Sequence, residues 1–218
     1  MKKQGFNLIA IILFTTFSIH LGLAQGPQGF QGVIEFTKST AIDTTDYAYY
    51  VKGDMIRIEE IGLDKKVAGI FLVNIRTNKA KALSPERKLY MDQTSGNAQA
   101  SSIKNIEVIK GKNTKTIAGY KCKEVMVKNK DQGTQITYYL AKDDFHFFDG
   151  MLIALNRKDK LSTYYQQIPD SKNMFPFYAA ESDLNGKQRV LLSVTKVTKK
   201  ELEDKLFEIP PEYKKFEK

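Results

Sequence analysis

The chain has 218 residues, a formal net charge of +9 at pH 7, 42% hydrophobic residues, one cysteine, two histidines and no tryptophan. A single cysteine excludes an intramolecular disulfide, and so few thiols and imidazoles cannot assemble a four-ligand structural zinc site. The lysines are scattered instead of gathered into a basic arm or helix, which speaks against a nucleic-acid partner.

Residues 1–24 predict a secretory signal peptide. Lys2 and Lys3 give a positive start, residues 6–23 are uncharged and largely apolar, and Gly22-Leu23-Ala24 is a small-residue exit. Cleavage is expected after Ala24, leaving residues 25–218 as one domain in the periplasm or secreted. No cysteine follows the cleavage point, so a lipidated N-terminus is not expected.

From residue 33 onward the pattern is that of strands. Val33 to Lys38 alternates, with Ile34 and Phe36 opposing Glu35 and Thr37. Tyr47 to Lys52 follows, Gly53-Asp54 makes a turn, and in Met55 to Ile61 Ile56 and Ile58 oppose Arg57 and Glu59. A period of two with turn residues between the runs indicates antiparallel strands with one buried and one wet face. Val67 to Ile75 is more continuously apolar, as a strand covered on both faces would be. Short runs at 79–83 and 88–91 lead into a small, polar loop over 93–102.

Strand character returns at 103–110, 115–117, 120–128 and 134–142, with Asp131-Gln132-Gly133 as a hairpin connection. Lys110, Lys112, Lys115, Lys121, Lys123, Lys128 and Lys130 alternate with apolar residues across this region, a solvated sheet face that allows weak contact with an anionic membrane surface. Cys122 lies in one of these strands, where packing accounts for it better than reactivity. Residues 143–155 form a dense apolar insert. Short helices are expected over 157–167 and 199–207, the second stopped by Pro210-Pro211, with one more strand over 188–198. Strands, an apolar insert, a strand and a terminal helix describe a mainly β (α+β) protein: a curved antiparallel sheet with helices on one side.

Candidates for catalysis are few. His146 is the one imidazole beyond the leader, and no nucleophile-elbow motif, calcium-loop spacing or phosphate-cradling glycine loop accompanies it. Its position between Phe145 and Phe147 suggests membership of an apolar layer. The adjacent carboxylates Glu59-Glu60 and Asp143-Asp144 would point to opposite faces of a strand. No catalytic residue, metal ligand or cofactor site is therefore expected. Eleven Tyr and thirteen Phe supply instead an apolar interior, and an apolar segment over the mouth of a curved sheet would make a cavity for a greasy ligand.

Three blocks carry a resemblance: residues 50–59 (YVKGDMIRIE), 116–123 (TIAGYKCK) and 206–213 (LFEIPPEY). They resemble a family of exported bacterial domains of unknown function, similar in turn to the LolA/LppX-type periplasmic lipoprotein carriers and lipid-binding proteins. The resemblance implies an open antiparallel half-barrel whose concave face is covered by a few short helices. It also implies an apolar ligand site there, for a lipid or an acylated protein. On that architecture Phe71, Val73, Ile136, Tyr138 and Leu140 would face inward beneath a lid of Phe147, Phe148, Met151 and Leu152. The alternative is a non-enzymatic structural or protein-interaction module of the envelope with no small-molecule ligand.

Overall fold

The computed structural model describes residues 29–94 and 103–217, so the predicted signal peptide and most of the 93–102 loop lie outside the described residues. Within them the strands join into one curved, open twelve-stranded sheet. A first meander runs through β1 (Gln31–Thr40), β2 (Thr44–Lys52), β3 (Met55–Ile61), β4 (Val67–Asn74), β5 (Lys79–Ser84) and β6 (Leu89–Gln93). The chain resumes at the opposite edge with β7 (Ile106–Ile117) and returns through β8 (Tyr120–Asn129), β9 (Thr134–Lys142), β10 (Met174–Asp183) and β11 (Gln188–Lys199). The two meanders meet where β11 pairs antiparallel with β1. The terminal strand β12 (Lys214–Lys215) runs parallel to β6, the one parallel pairing among the described strands. Helices α1 (Phe147–Ala154) and α2 (Lys160–Tyr165) sit between β9 and β10. This is the half-barrel with a few helices that the resemblance implied.

Alternation sorts the side chains onto two faces. Ile34, Phe36, Tyr49, Val51, Ile56, Ile58, Val73, Ile136 and Tyr138 join α1 and α2 in the main core on the concave side. The opposite face is covered by the C-terminal segment. Leu202 and Phe207 pack on Val33 and Ala48, while Ile209 and Tyr213 pack on Ile70, Leu72 and Leu83. This second layer explains the continuous apolar character of β4: both of its faces are covered.

Three local expectations change. The runs at 103–110 and 115–117 are one strand, β7, with an irregular register between Lys110 and Thr114. The helix expected over 199–207 shrinks to a 3-10 turn at Asp204–Phe207, because β11 extends to Lys199 and Leu202 is drawn down as a separate anchor. His146 is not part of an apolar layer: it is exposed at the start of α1 while its neighbours Phe145 and Phe147 are buried. Its ring lies over Gly29, so a Cβ there would make the exposed imidazole swing away. The lysines of β7 and β8 are largely exposed, and β7 is one of the two edge strands of the sheet. Charge along such an edge discourages pairing with another chain.

Candidate functional site

A cleft opens on the concave side where the α1–α2 connection leaves the sheet. Its floor is apolar: Phe36 from β1, Tyr49 from β2, Tyr138 from β9, Phe148 and Leu152 from α1, and Phe175 from β10. Lys38, Tyr47, Arg157, Asp159, Leu161, Ser162 and Leu192 also line it. The room inside is about 70 Å³, well below the roughly 300–1,000 Å³ of ordinary ligand pockets. Two wider hollows lie on the surface. One, of about 290 Å³, lies against β5 and β6 beside Phe216, and one of about 460 Å³ lies between Asp149 and Lys172.

Aromatic packing holds the floor. Phe36 stacks on Tyr47 with ring centroids 5.2 Å apart and meets Tyr49 edge-on at 4.7 Å. Phe148 meets Phe175 at 4.8 Å and Tyr165 at 4.9 Å, both edge-on. Such contacts add about 0.5–1.5 kcal/mol each beyond area burial. Buried polar tips find partners. Tyr138 donates its hydroxyl to the Leu161 carbonyl at 2.8 Å, which ties β9 to α2. Asp159 caps α2 by accepting from the Ser162 amide at 3.1 Å and the Ser162 hydroxyl at 3.0 Å. Burial pushes the Tyr49 phenol up to about 12 and raises that of Tyr138 as well, so both stay neutral and the floor carries no charge. Charge sits at the rim. Lys38 and Arg157 are half-buried, and neither side chain forms an ion pair with a described residue.

Of the residues expected to form a site, Tyr138, Phe148 and Leu152 converge on this cleft. Val73, Ile136, Leu140, Phe147 and Met151 are buried in the main core, with Phe71 partly buried against it, and none of these six lines the cleft. The segment expected as a lid is instead a packed core helix: Phe147 and Met151 are almost wholly enclosed. Lys38, Tyr47, Tyr49, Arg157 and Leu192 were missed. Their sequence signals are ordinary strand alternation and one loop cation; the β1·β2 and β1·β11 registers bring Lys38, Tyr47, Tyr49 and Leu192 together, and the α1–α2 connection adds Arg157.

Residues considered for chemistry stay apart from this cleft. Cys122 is fully buried on β8, donates to the Tyr120 carbonyl at 3.3 Å, and has its thiol pushed up to about 11 by burial. A thiol held protonated is a poor nucleophile. Among the described residues no group of three or more His, Cys, Asp or Glu side chains could hold a metal ion.

No curated protein matches the chain. Among solved structures, an uncharacterized conserved protein from Thermus thermophilus is similar at 10% identity and a TM-score of 0.50, over 85% of this chain and 90% of that one. PNGF-II is similar at 16% identity and a TM-score of 0.49, over 85% of this chain and 30% of that one. MucB in its complex with MucA from Pseudomonas aeruginosa gives 12% and 0.48, over 84% of this chain and 56% of that one. The chain thus spans about a third of PNGF-II and about half of the MucB structure. At these identities the likeness concerns the fold alone. Residues 30–213 match the model of a domain of unknown function, and the chain belongs to that family, DUF4412.

Proposed function

We propose that this chain is an exported envelope protein that binds a hydrophobic ligand, a lipid or the acyl chain of a lipoprotein, in the concave face of its half-barrel. The supporting observation is the cleft, an uncharged aromatic floor beside Lys38 and Arg157, which form no ion pair with a described residue, and beside the helix-capping carboxylate of Asp159. That pattern suits an acyl tail with a polar or anionic head. A buried methylene is worth about 0.8 kcal/mol, so a tail of about ten would gain roughly 8 kcal/mol before the costs of ordering. The resting cleft of about 70 Å³ admits only the tip of such a tail. Binding then requires α1 and α2 to move off the sheet, and part of that gain offsets the contacts they give up.

The packed state of α1 favours a second reading, a structural or protein-interaction module with a filled interior. Leu161→Asp separates the two. Leu161 is half-buried on α2 at the cleft wall, so a carboxylate there stays wet in the empty protein and is desolvated under a ligand. Wild type should take up a fluorescent fatty acid, and Leu161→Asp should reduce uptake with little change in melting temperature. If wild type takes up no probe, and native mass spectrometry of protein from its own envelope shows no lipid, the second reading replaces the first.

A further inference from the structure

Four large apolar side chains are conspicuously exposed among the described residues, and three of them occupy the tips of neighbouring hairpins. Ile42 is 95% exposed between β1 and β2, Leu63 is 88% exposed between β3 and β4, and Leu184 is 49% exposed between β10 and β11. In the sheet these hairpins are consecutive, in the order β4-β3-β2-β1-β11-β10, and all three turns project from the same end. Thr40 pairs with Val190, which sets the β10–β11 turn beside the β1–β2 turn. Lys65 reaches from the β3–β4 turn to Asp46 at the start of β2, at 2.8 Å. Single exposed apolar residues are common on a protein surface. One at each of three adjacent tips is a pattern.

The tips are built to present these side chains. Thr40 accepts at its hydroxyl from the amides of Ile42 and Asp43, and its own amide donates to the Asp43 carbonyl at 2.7 Å. In the next turn Gly62 donates to the Lys66 carbonyl at 2.8 Å, and in the third Asp183 donates to the Lys187 carbonyl at 3.1 Å. Charges beside the apolar residues nearly balance, with Asp43, Asp64 and Asp183 against Lys65, Lys66 and Lys187. Lys38, one of the residues lining the cleft, pairs with Leu192 only two positions from the end of β1.

We propose that this end of the sheet docks on a lipid bilayer by inserting Ile42, Leu63 and Leu184, which brings the Lys38 side of the cleft toward the membrane surface. Strands lie about 4.8 Å apart, so successive hairpin tips stand roughly 10 Å from one another. Isolated apolar side chains at that spacing form no continuous groove for a peptide, whereas a bilayer accepts them at one level without a matching shape. With balanced charge the contact is apolar, and it should form on zwitterionic as well as anionic lipid. The proposal extends the lipid-binding reading, and its test is separable from it.

The test is flotation with phosphatidylcholine vesicles at low and high salt. Wild type should float with the vesicles under both conditions, and the double variant Ile42→Asp/Leu63→Asp should lose about tenfold or more in bound fraction, given what an aspartate costs in lipid relative to isoleucine or leucine. Both side chains already face water, so its melting temperature should match wild type. Lys65→Gln/Lys187→Gln should float like wild type. Docking is refuted if wild type stays with the soluble fraction, or if the Asp double variant floats equally well. It is also refuted if sedimentation shows instead a wild-type dimer that the double variant makes monomeric. Uptake of the fluorescent fatty acid from solution, read in parallel, should be unchanged in the double variant. Absence of uptake in wild type refutes the cleft reading and leaves flotation to decide docking.

Discussion

Cys122 shows how one side chain's surroundings settle its chemistry. Its sulfur is fully enclosed and the thiol is raised to about 11, because burial penalises the thiolate. A group whose acid dissociation is suppressed by folding contributes stability at pH values below the ordinary thiol range, and that contribution is lost as pH rises through the folded value. Stability should therefore decline between the ordinary thiol range and pH 11, and Cys122→Ala should lessen that decline. Denaturant midpoints across this range check it, and a thiol reagent at pH 8 should label the protein only after unfolding. The enclosed Tyr49 and the half-buried Tyr50, whose hydroxyl also faces Glu59, are both raised to about 12, so the stability they lose on deprotonation goes at the upper end of the same alkaline limb.

Among the elements, the C-terminal segment carries more than its length suggests. Lys52 donates to the Leu202 carbonyl at 2.8 Å and pairs with Asp204 at 2.6 Å. Arg57 donates to the Leu206 carbonyl at 3.2 Å while pairing with Glu59 at 2.7 Å, and Tyr50 also donates to Glu59. Tyr50, Lys52, Arg57 and Glu59 belong to the first block of the family resemblance and Leu206 opens the third, so those blocks contribute to a clasp between β2–β3 and the terminal segment that Leu202 and Asp204 extend. The second block makes the β7–β8 hairpin, where Ala118 and Gly119 both have positive φ, the conformation of a two-residue turn matched to strand twist. Phe207, 6% exposed on Val33 and Ala48, should cost about 3–5 kcal/mol on Phe207→Ala. Arg57→Ala should cost about 3 kcal/mol, because Glu59 then loses its cationic partner in a largely buried position and keeps only the Tyr50 hydroxyl. Urea unfolding of each variant measures both. The helix expected from Leu202 and Leu206 is cut short for the same reason: Leu202 anchors ahead of the 3-10 turn that holds Leu206, and tertiary burial overrode the four-residue spacing.

At the level of the whole molecule, one sheet with one main core predicts a strand-dominated far-ultraviolet circular dichroism spectrum and one thermal transition, the same with or without reductant. Much of this architecture was legible in the sequence, since period-two alternation in β1 to β3 and in β9 marks which face is buried. The candidate site was legible only in part. Tyr138, Phe148 and Leu152 stood out as apolar residues of the middle region, but Lys38 and Tyr49 reach the cleft through pairings across the sheet that no local window contains. Closure of the two meanders is the extreme case. β1 pairs with β11, and the Thr195 hydroxyl donates to the Glu35 carbonyl across 160 residues of chain. During synthesis the first meander is complete long before its partner exists, with Ile34 and Phe36 on an unpaired edge throughout. Non-local pairing of this kind is slow and leaves apolar strand edges open to other chains. The nascent protein therefore needs shielding of its N-terminal strand until almost the last strand has emerged, and a truncation anywhere before β11 leaves β1 without its closing neighbour.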